Sequence, residues 1–348
     1  MKALVKTAAA PGQVMLQDWP DPQVGPQEVM IAVKRGGVCG TDLSLYEWNR
    51  LIIEGYKPRI PIIVGHEFTG EVLETGREVT GIRAGDHVVV NPALTCGQCR
   101  YCRSEQSMLC PSRQLLGLQV PGAFAEYVVA PANNVYVVPR EMPWDLAAMA
   151  EPFAVALHAL ERVPIHPGAV VAIVGPGSIG FCMLAALKLT PVAQVVMIGV
   201  EADRERLSLA ASLGAATVCL GRDTPEVVVG DLTEGLGADI AFETAGHPAA
   251  FATAIRLTRK GGRVGLLGLP HDDASLNTAA IALAELQLVG VRAYDVNTWR
   301  RVPTLLERAE TTLTKVVTHR LPLGQFEQAV ELARSGSGLK VLLTTDEA

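Results

Sequence analysis

The chain has 348 residues, of which 49% are hydrophobic and 19% charged. That is enough apolar material for sizeable cores, and at about 100–200 residues per domain it suggests two domains. The formal charge of −6 argues against nucleic acid or an anionic membrane as the main partner. No uncharged apolar run reaches the roughly 18 residues of a membrane span. The start, "MKALVKTAAAPGQVMLQDWPDP", lacks the long apolar stretch of a signal peptide, so a soluble cytoplasmic protein is expected.

The first part of the chain is rich in Pro, Gly and short β-type runs, among them "EVMIAVKRGGVCG", "GDHVVVNPAL" and "GAFAEYVVAPANNVYVVP". Short strands between turn signals predict an irregular β-rich domain. Within it, "IVGHEFTGEV" sets His66 beside Glu67 at a glycine turn, two potential metal ligands whose pairing alone carries little weight. "CGQCRYCRSEQSMLC" is more specific. It places Cys96, Cys99, Cys102 and Cys110 within fifteen residues. Four thiolates so close match a closed, tetrahedral structural zinc site. An iron–sulfur cluster also takes four thiolates, but redox-inert zinc better suits a β-rich lobe in need of a staple. Seven cysteines without a secretion signal do not suggest a disulfide framework.

The texture changes near Pro143, where "WDLAAMAEPFAVALHALE" predicts helix. From Gly168 onward, apolar runs alternate with Ala-rich helical stretches. "AVVAIVG", "AQVVMIGV", "GADIAFETAG" and "GGRVGLLGL" predict parallel strands covered on both faces, and the whole predicts a doubly wound α/β sheet. In "VVAIVGPGSIG", Gly175, Gly177 and Gly180 form G-x-G-x-x-G between a strand and a helix. Gly175 permits the tight turn, Gly177 the approach of a pyrophosphate and Gly180 the packing of helix on strand. The helix start, Ser178 and Ile179, offers N–H groups and a positive dipole end to the phosphates. The expected division is residues 1–152 as the β-rich domain with its cysteine lobe, 153–293 as the dinucleotide-binding domain, and 294–348 as a segment returning to the first.

A second metal site should be open. Cys39 in "GGVCGTDLSLY", His66 with Glu67, and Glu151 in "EPFAVALHAL" are the candidates. One thiolate, one imidazole and one carboxylate leave a position for water or substrate, as catalytic zinc requires. Their wide separation along the chain cannot by itself join them.

The motifs "GVCGTD", "GHEFTGEV", the four-cysteine lobe, "PGAFAEY", "EPFAVALHA" and "VGPGSIG", in this order, resemble the zinc-dependent medium-chain dehydrogenases, the family of alcohol, polyol and threonine dehydrogenases. The resemblance covers nearly the whole chain. It implies a GroES-like catalytic domain with a Rossmann domain, two zinc ions per chain, a nicotinamide cofactor and a homo-oligomer, dimer or tetramer. It implies Cys39, His66 and a carboxylate as catalytic zinc ligands, with Glu67 and Glu151 matching the two carboxylates that polyol-type members use. Thr41 would supply the first hydroxyl of a proton path, and Asp42 would orient His66. Many members place a His three residues after Thr41; this chain has Ser44, which can pass a proton but does not titrate near neutrality.

Hydride transfer between a secondary alcohol and the nicotinamide is the implied reaction. "CGTDLSLYEWN" with "PGAFAEY" is closer to the threonine dehydrogenases, which stand as the alternative, but "EPFAVALHA" looks polyol-type, and a polyol or related secondary alcohol is the expected substrate. A non-catalytic protein keeping the fold would show a broken ligand set, and here the set is whole. For the cofactor, NAD is expected over NADP. Counting from the glycines puts Gly199 where an acid usually grips the ribose, with Glu201 and Asp203 next and Arg204 and Arg206 behind them. Glu201 and Arg206 are the residues expected at the cofactor. His158 is expected to pack rather than ligate. His87, His166, His247, His271 and His319 fall near turns or strand ends, and most of them are expected at the surface; Cys182 and Cys219 are expected in the core.

Overall fold

The computed structural model describes residues 1–270 and 273–345. Contacts divide the chain into two units: Met1–Glu151 with Asp295–Glu310 and Thr314–Ala348, and Pro152–Tyr294 with Thr311–Leu313. Among the described residues, no helix is long and apolar enough to cross a membrane.

The first unit is built on a seven-stranded mixed sheet. Its central strand, Glu28–Gly37, alternates buried Val29, Ile31 and Val33 with less buried neighbours, the period-two pattern of a sheet with one face on a core. This strand pairs antiparallel with Glu67–Thr75, with Tyr127–Pro131 and with Lys340–Thr344. At its end Gly37 lies opposite Glu67 on one side and Leu342 on the other. The tail of the chain is thereby stitched next to the "GHE" turn. A two-stranded ribbon, Ala93–Leu94 with Gln114–Leu115, frames the cysteine lobe.

The second unit is an all-parallel, six-stranded sheet. Its order is Ala216–Leu220, Gln194–Val200, Val170–Val174, Ala238–Glu243, Thr258–Leu266, Gln287–Gly290. Every residue of Val170–Val174 is buried, as a central strand covered on both faces requires. The order reverses between Val170–Val174 and Ala238–Glu243, and such a switch point opens a crevice at the carboxyl ends of the strands. The predicted helix over 144–161 forms as two pieces, Trp144–Ala147 and Ala150–Arg162.

Candidate active site and metal centres

Cys39, His66 and Glu67 each place one donor atom within 4.8 Å of the others. Three local features bring them together. Cys39 caps the helix Gly40–Glu47, and its N–H donates to Asp42 Oδ2 at 2.9 Å. Gly65 turns the chain at φ +94°, where any Cβ would collide with the Phe124 ring, and so delivers His66 and Glu67 inward. Gly37 leaves the space in which the Glu67 carboxylate lies.

His66 is buried and turns Nδ1 toward Asp42 Oδ1 at 3.5 Å, longer than a well-formed hydrogen bond. That orientation leaves Nε2 for the cluster. Burial opposes a charged imidazole, but Asp42 and then Cys39 outweigh it and hold the His66 pKa well above its ordinary value. Desolvation pushes the Cys39 thiol up, and the Glu67 carboxylate adds to the push. Burial and the Glu67 carboxylate both disfavour a Cys39 thiolate when no cation stands between them. A divalent cation would relieve this, and the donor set suits zinc.

Glu151 is buried at the start of the helix Ala150–Arg162 and stands outside the close triad, although its charge is felt at Cys39. Ser44 is buried and Thr41 half-buried on the helix that Cys39 caps.

One residue of the site carries no signal in the sequence. Lys340 is as buried as Glu67, and its Nζ donates to Glu67 Oε2 and, at 3.1 Å, to the Val38 carbonyl.

The four remaining ligand candidates form a second cluster. Sγ–Sγ distances are 3.5 Å for Cys99–Cys102, 3.6 Å for Cys96–Cys110 and 3.9 Å for Cys96–Cys102. A tetrahedron with Zn–S bonds of about 2.3 Å separates its sulfurs by about 3.8 Å. The spacing fits a metal and is far too long for disulfides. N–H groups of Gln98 and Cys99 push the Cys96 thiol down to about 6, so a thiolate is available there.

In the second unit the helix Ser178–Leu187 begins directly after Gly177. A Cβ on Gly180 would strike the Gly175 carbonyl, and Thr244 Oγ1 donates to that same carbonyl at 2.8 Å. The Ser178 hydroxyl is buried without a partner among the described residues. This cradle, with the free N–H groups of a helix start, fits a pyrophosphate.

The strand Gln194–Val200 runs on past Gly199, which abuts Pro176 of the loop: a Cβ there would lie 2.9 Å from Pro176 Cγ. Glu201 is the first residue beyond the strand. It is exposed and clasped by Arg204 and Arg222, and it accepts from Cys219 Sγ at 3.5 Å. Arg206 lies 3.6 Å from Asp203 instead.

One expectation is corrected. Cys219 is not a core thiol: it sits half-buried at the end of Ala216–Leu220, held by Glu201, whereas Cys182 is fully buried. His87 is half-buried, its ring packed on Trp144 with centroids 4.0 Å apart and planes tilted by 33°. His158 is buried, with Nδ1 3.4 Å from Glu161. His271 lies outside the described residues.

A GroES-like sheet carrying an open-type ligand triad, a four-thiolate lobe and a Rossmann glycine loop define a zinc-type, nicotinamide-dependent dehydrogenase. Comparison with known proteins agrees. Residues 25–140 match the alcohol dehydrogenase GroES-like domain, and residues 178–310 match the zinc-binding dehydrogenase domain. L-threonine 3-dehydrogenase of Bacillus licheniformis is 36% identical over 99% of this chain and 98% of its own. That of Streptomyces avermitilis is 39% identical over 99% of both. Galactitol-1-phosphate dehydrogenase of Escherichia coli superimposes with a TM-score of 0.88 at 29% identity, covering 99% of this chain and 100% of its own. Two further neighbours were solved with nicotinamide nucleotides. A zinc-binding dehydrogenase from Sinorhizobium meliloti was bound to NADP (TM-score 0.87, 26% identity, 99% and 98% covered), and an Escherichia coli dehydrogenase was complexed with NADH (0.86, 25%, 99% and 99%). The chain belongs to the zinc-dependent medium-chain dehydrogenase family, and it is an enzyme, an oxidoreductase.

Proposed function

We propose that the chain oxidises the secondary hydroxyl of a small polar alcohol, with L-threonine the first candidate, and transfers the hydride to NAD. The observation that carries the chemistry is the Cys39–His66–Glu67 triad, three donor atoms within 4.8 Å on a buried floor. The substrate preference drawn from "EPFAVALHA" is reversed here. Threonine dehydrogenases match 99% of the chain at 33–39% identity, against 29% for a sugar-alcohol phosphate enzyme.

Zinc held by Cys39, His66 and Glu67 would supply Lewis acidity that stabilises the alkoxide. The protein's own groups do the rest. Asp42 grips the Cys39 N–H and faces His66 Nδ1, so a single carboxylate orients two ligands from behind. Lys340 anchors one oxygen of Glu67 and leaves the other free to ligate. Thr41 takes the proton of the substrate hydroxyl, and Ser44 hands it on toward solvent without titrating itself. The Gly175–Gly180 loop binds the pyrophosphate, and Glu201 accepts from the ribose hydroxyls. The cysteine lobe holds a second zinc and supplies structure. Glu151 acts on the site through its charge.

The test is a screen of L-threonine, polyols and simple secondary alcohols with NAD+ and NADP+, following reduced cofactor. L-Threonine should give the highest kcat/KM. A polyol that outranks it tenfold, about 1.4 kcal/mol of transition-state binding, would replace it as substrate.

A further inference from the structure

We propose that Glu243 is a positioning residue for the nucleotide: its buried carboxyl helps to hold, before the nucleotide arrives, the two loops that follow the strands Ala238–Glu243 and Thr258–Leu266. This rests on the reading that the nicotinamide nucleotide lies across the switch point of the second unit's sheet.

Three observations support it. The first is placement. Glu243 ends a strand that pairs with the glycine-loop strand Val170–Val174 on one side and with Thr258–Leu266 on the other. The crevice of the switch point opens beyond these carboxyl ends. The chain after Glu243 runs against the glycine loop. The Thr244 N–H donates to the Val174 carbonyl at 2.9 Å, and a Cβ on Gly175 would lie 2.8 Å from the Ala245 nitrogen. Ala245 and His247 are exposed, so packing does little to fix this loop and hydrogen bonds must.

The second is the set of bonds. Glu243 is fully buried. Its Oε1 accepts from the Ala245 N–H at 2.8 Å and from the Gly246 N–H at 2.7 Å. Its backbone carbonyl accepts from the N–H groups of Leu267 at 3.0 Å and Gly268 at 3.1 Å. One residue thus gathers one loop by its side chain and the other by its backbone. The loops also meet each other. A Cβ on Gly268 would lie 2.2 Å from the Gly246 nitrogen and 2.3 Å from Glu243 Oε2.

The third is the chemistry of the carboxyl. Oε2 is buried and has no hydrogen-bond partner among the described residues. Burial pushes the Glu243 pKa up, although the N–H groups of Gly246, Ala245, His247 and Gly268 oppose it. The group is therefore used as an acceptor and not as a charge. Oε1 keeps its lone pairs when Oε2 carries a proton. It follows that an amide oxygen can replace it and a methyl cannot. With Ala at 243 the two N–H groups turn to water, and the nucleotide has to order the loop as it binds, which costs affinity.

The experiment compares full-length wild type, Glu243→Gln and Glu243→Ala with no substrate present. NADH binding is read by nucleotide fluorescence well below the melting temperature, and exchange of the Ala245 and Gly246 amides is read in the nucleotide-free proteins. Both amides should exchange slowly in wild type and in Glu243→Gln. Glu243→Gln should bind NADH within threefold of wild type, and Glu243→Ala should bind it at least tenfold more weakly, with both amides exchanging fast. Wild-type amides that exchange freely overturn the proposal, as does a tenfold loss in Glu243→Gln; neither result needs a folded Ala variant. A Glu243→Ala protein that melts earlier but binds NADH as wild type does also overturns it, because the residue is then merely structural. A wild type that binds neither NADH nor NADPH overturns the reading of the crevice itself.

Discussion

Replacing Lys340 by Met keeps an unbranched, flexible side chain one atom shorter and removes its charge. In protein stripped of metal by a chelator, the Glu67 carboxylate then has no cation beside it, and both groups are only 2% exposed by side-chain area. The Val38 carbonyl loses its donor as well. Breaking one half of a buried ion pair costs about 3–5 kcal/mol, because the survivor stays desolvated and unpaired. With a urea m-value of about 2–3 kcal/mol/M, the unfolding midpoint falls by about 1–2.5 M. The chain provides its own selective probe. Its four tryptophans, Trp19, Trp48, Trp144 and Trp299, all belong to the first unit, so tryptophan fluorescence follows that unit's unfolding. Adding Glu67→Gln removes the stranded charge and should recover more than half of the loss. A Lys340→Met protein within about 1 kcal/mol of wild type, the range of a surface pair, would refute the idea that this pair is buried and coupled. So would a double variant no more stable than the single.

Gly180→Ala should weaken NADH binding at least tenfold, about 1.4 kcal/mol, because its methyl strikes the Gly175 carbonyl; nucleotide fluorescence checks this, and unchanged affinity contradicts it. Cys102→Ser should drop zinc content from two ions per chain to one and lower the melting temperature, since a closed site's binding energy is folding energy; a wild type with one zinc, untouched by the change, removes the structural site. Lys6 is buried with its ammonium on the Ala10 and Gly12 carbonyls, and burial pulls its pKa down to about 8. The folded state therefore releases this proton earlier than the unfolded chain, whose pKa is 10.5. Wild-type stability relative to Lys6→Met should be flat below pH 8 and rise between pH 8 and 10.5; urea titrations across that range that show no such rise contradict it.

What the sequence could reveal depended on how far apart the partners lie. The cysteine lobe is local: four ligands within fifteen residues, on one short ribbon, announce a metal by spacing alone. The glycine loop is local too, since strand, turn and helix follow one another. The triad was reachable only through resemblance, because Cys39 and His66 meet by strand pairing. Lys340 was invisible. It reaches Glu67 across 273 residues, through the register that lays Lys340–Thr344 along Glu28–Gly37. Counting residues placed the ribose acid's position at Gly199. The strand, however, continues through Val200, so Glu201 is the first residue past its end. Arg222 lies in a loop without a motif, and only the parallel neighbour Ala216–Leu220 carries it to Glu201.

Under the proposed function, the open triad does the chemistry while the rest of the molecule holds and aims it. The most direct test is the turnover of Cys39→Ser with the best substrate of the screen, at saturating zinc, alongside NADH binding to the same protein. Turnover should fall at least about a hundredfold, roughly 2.7 kcal/mol of barrier, while NADH binds as it does to wild type. A Cys39→Ser enzyme with near-normal turnover would contradict the account.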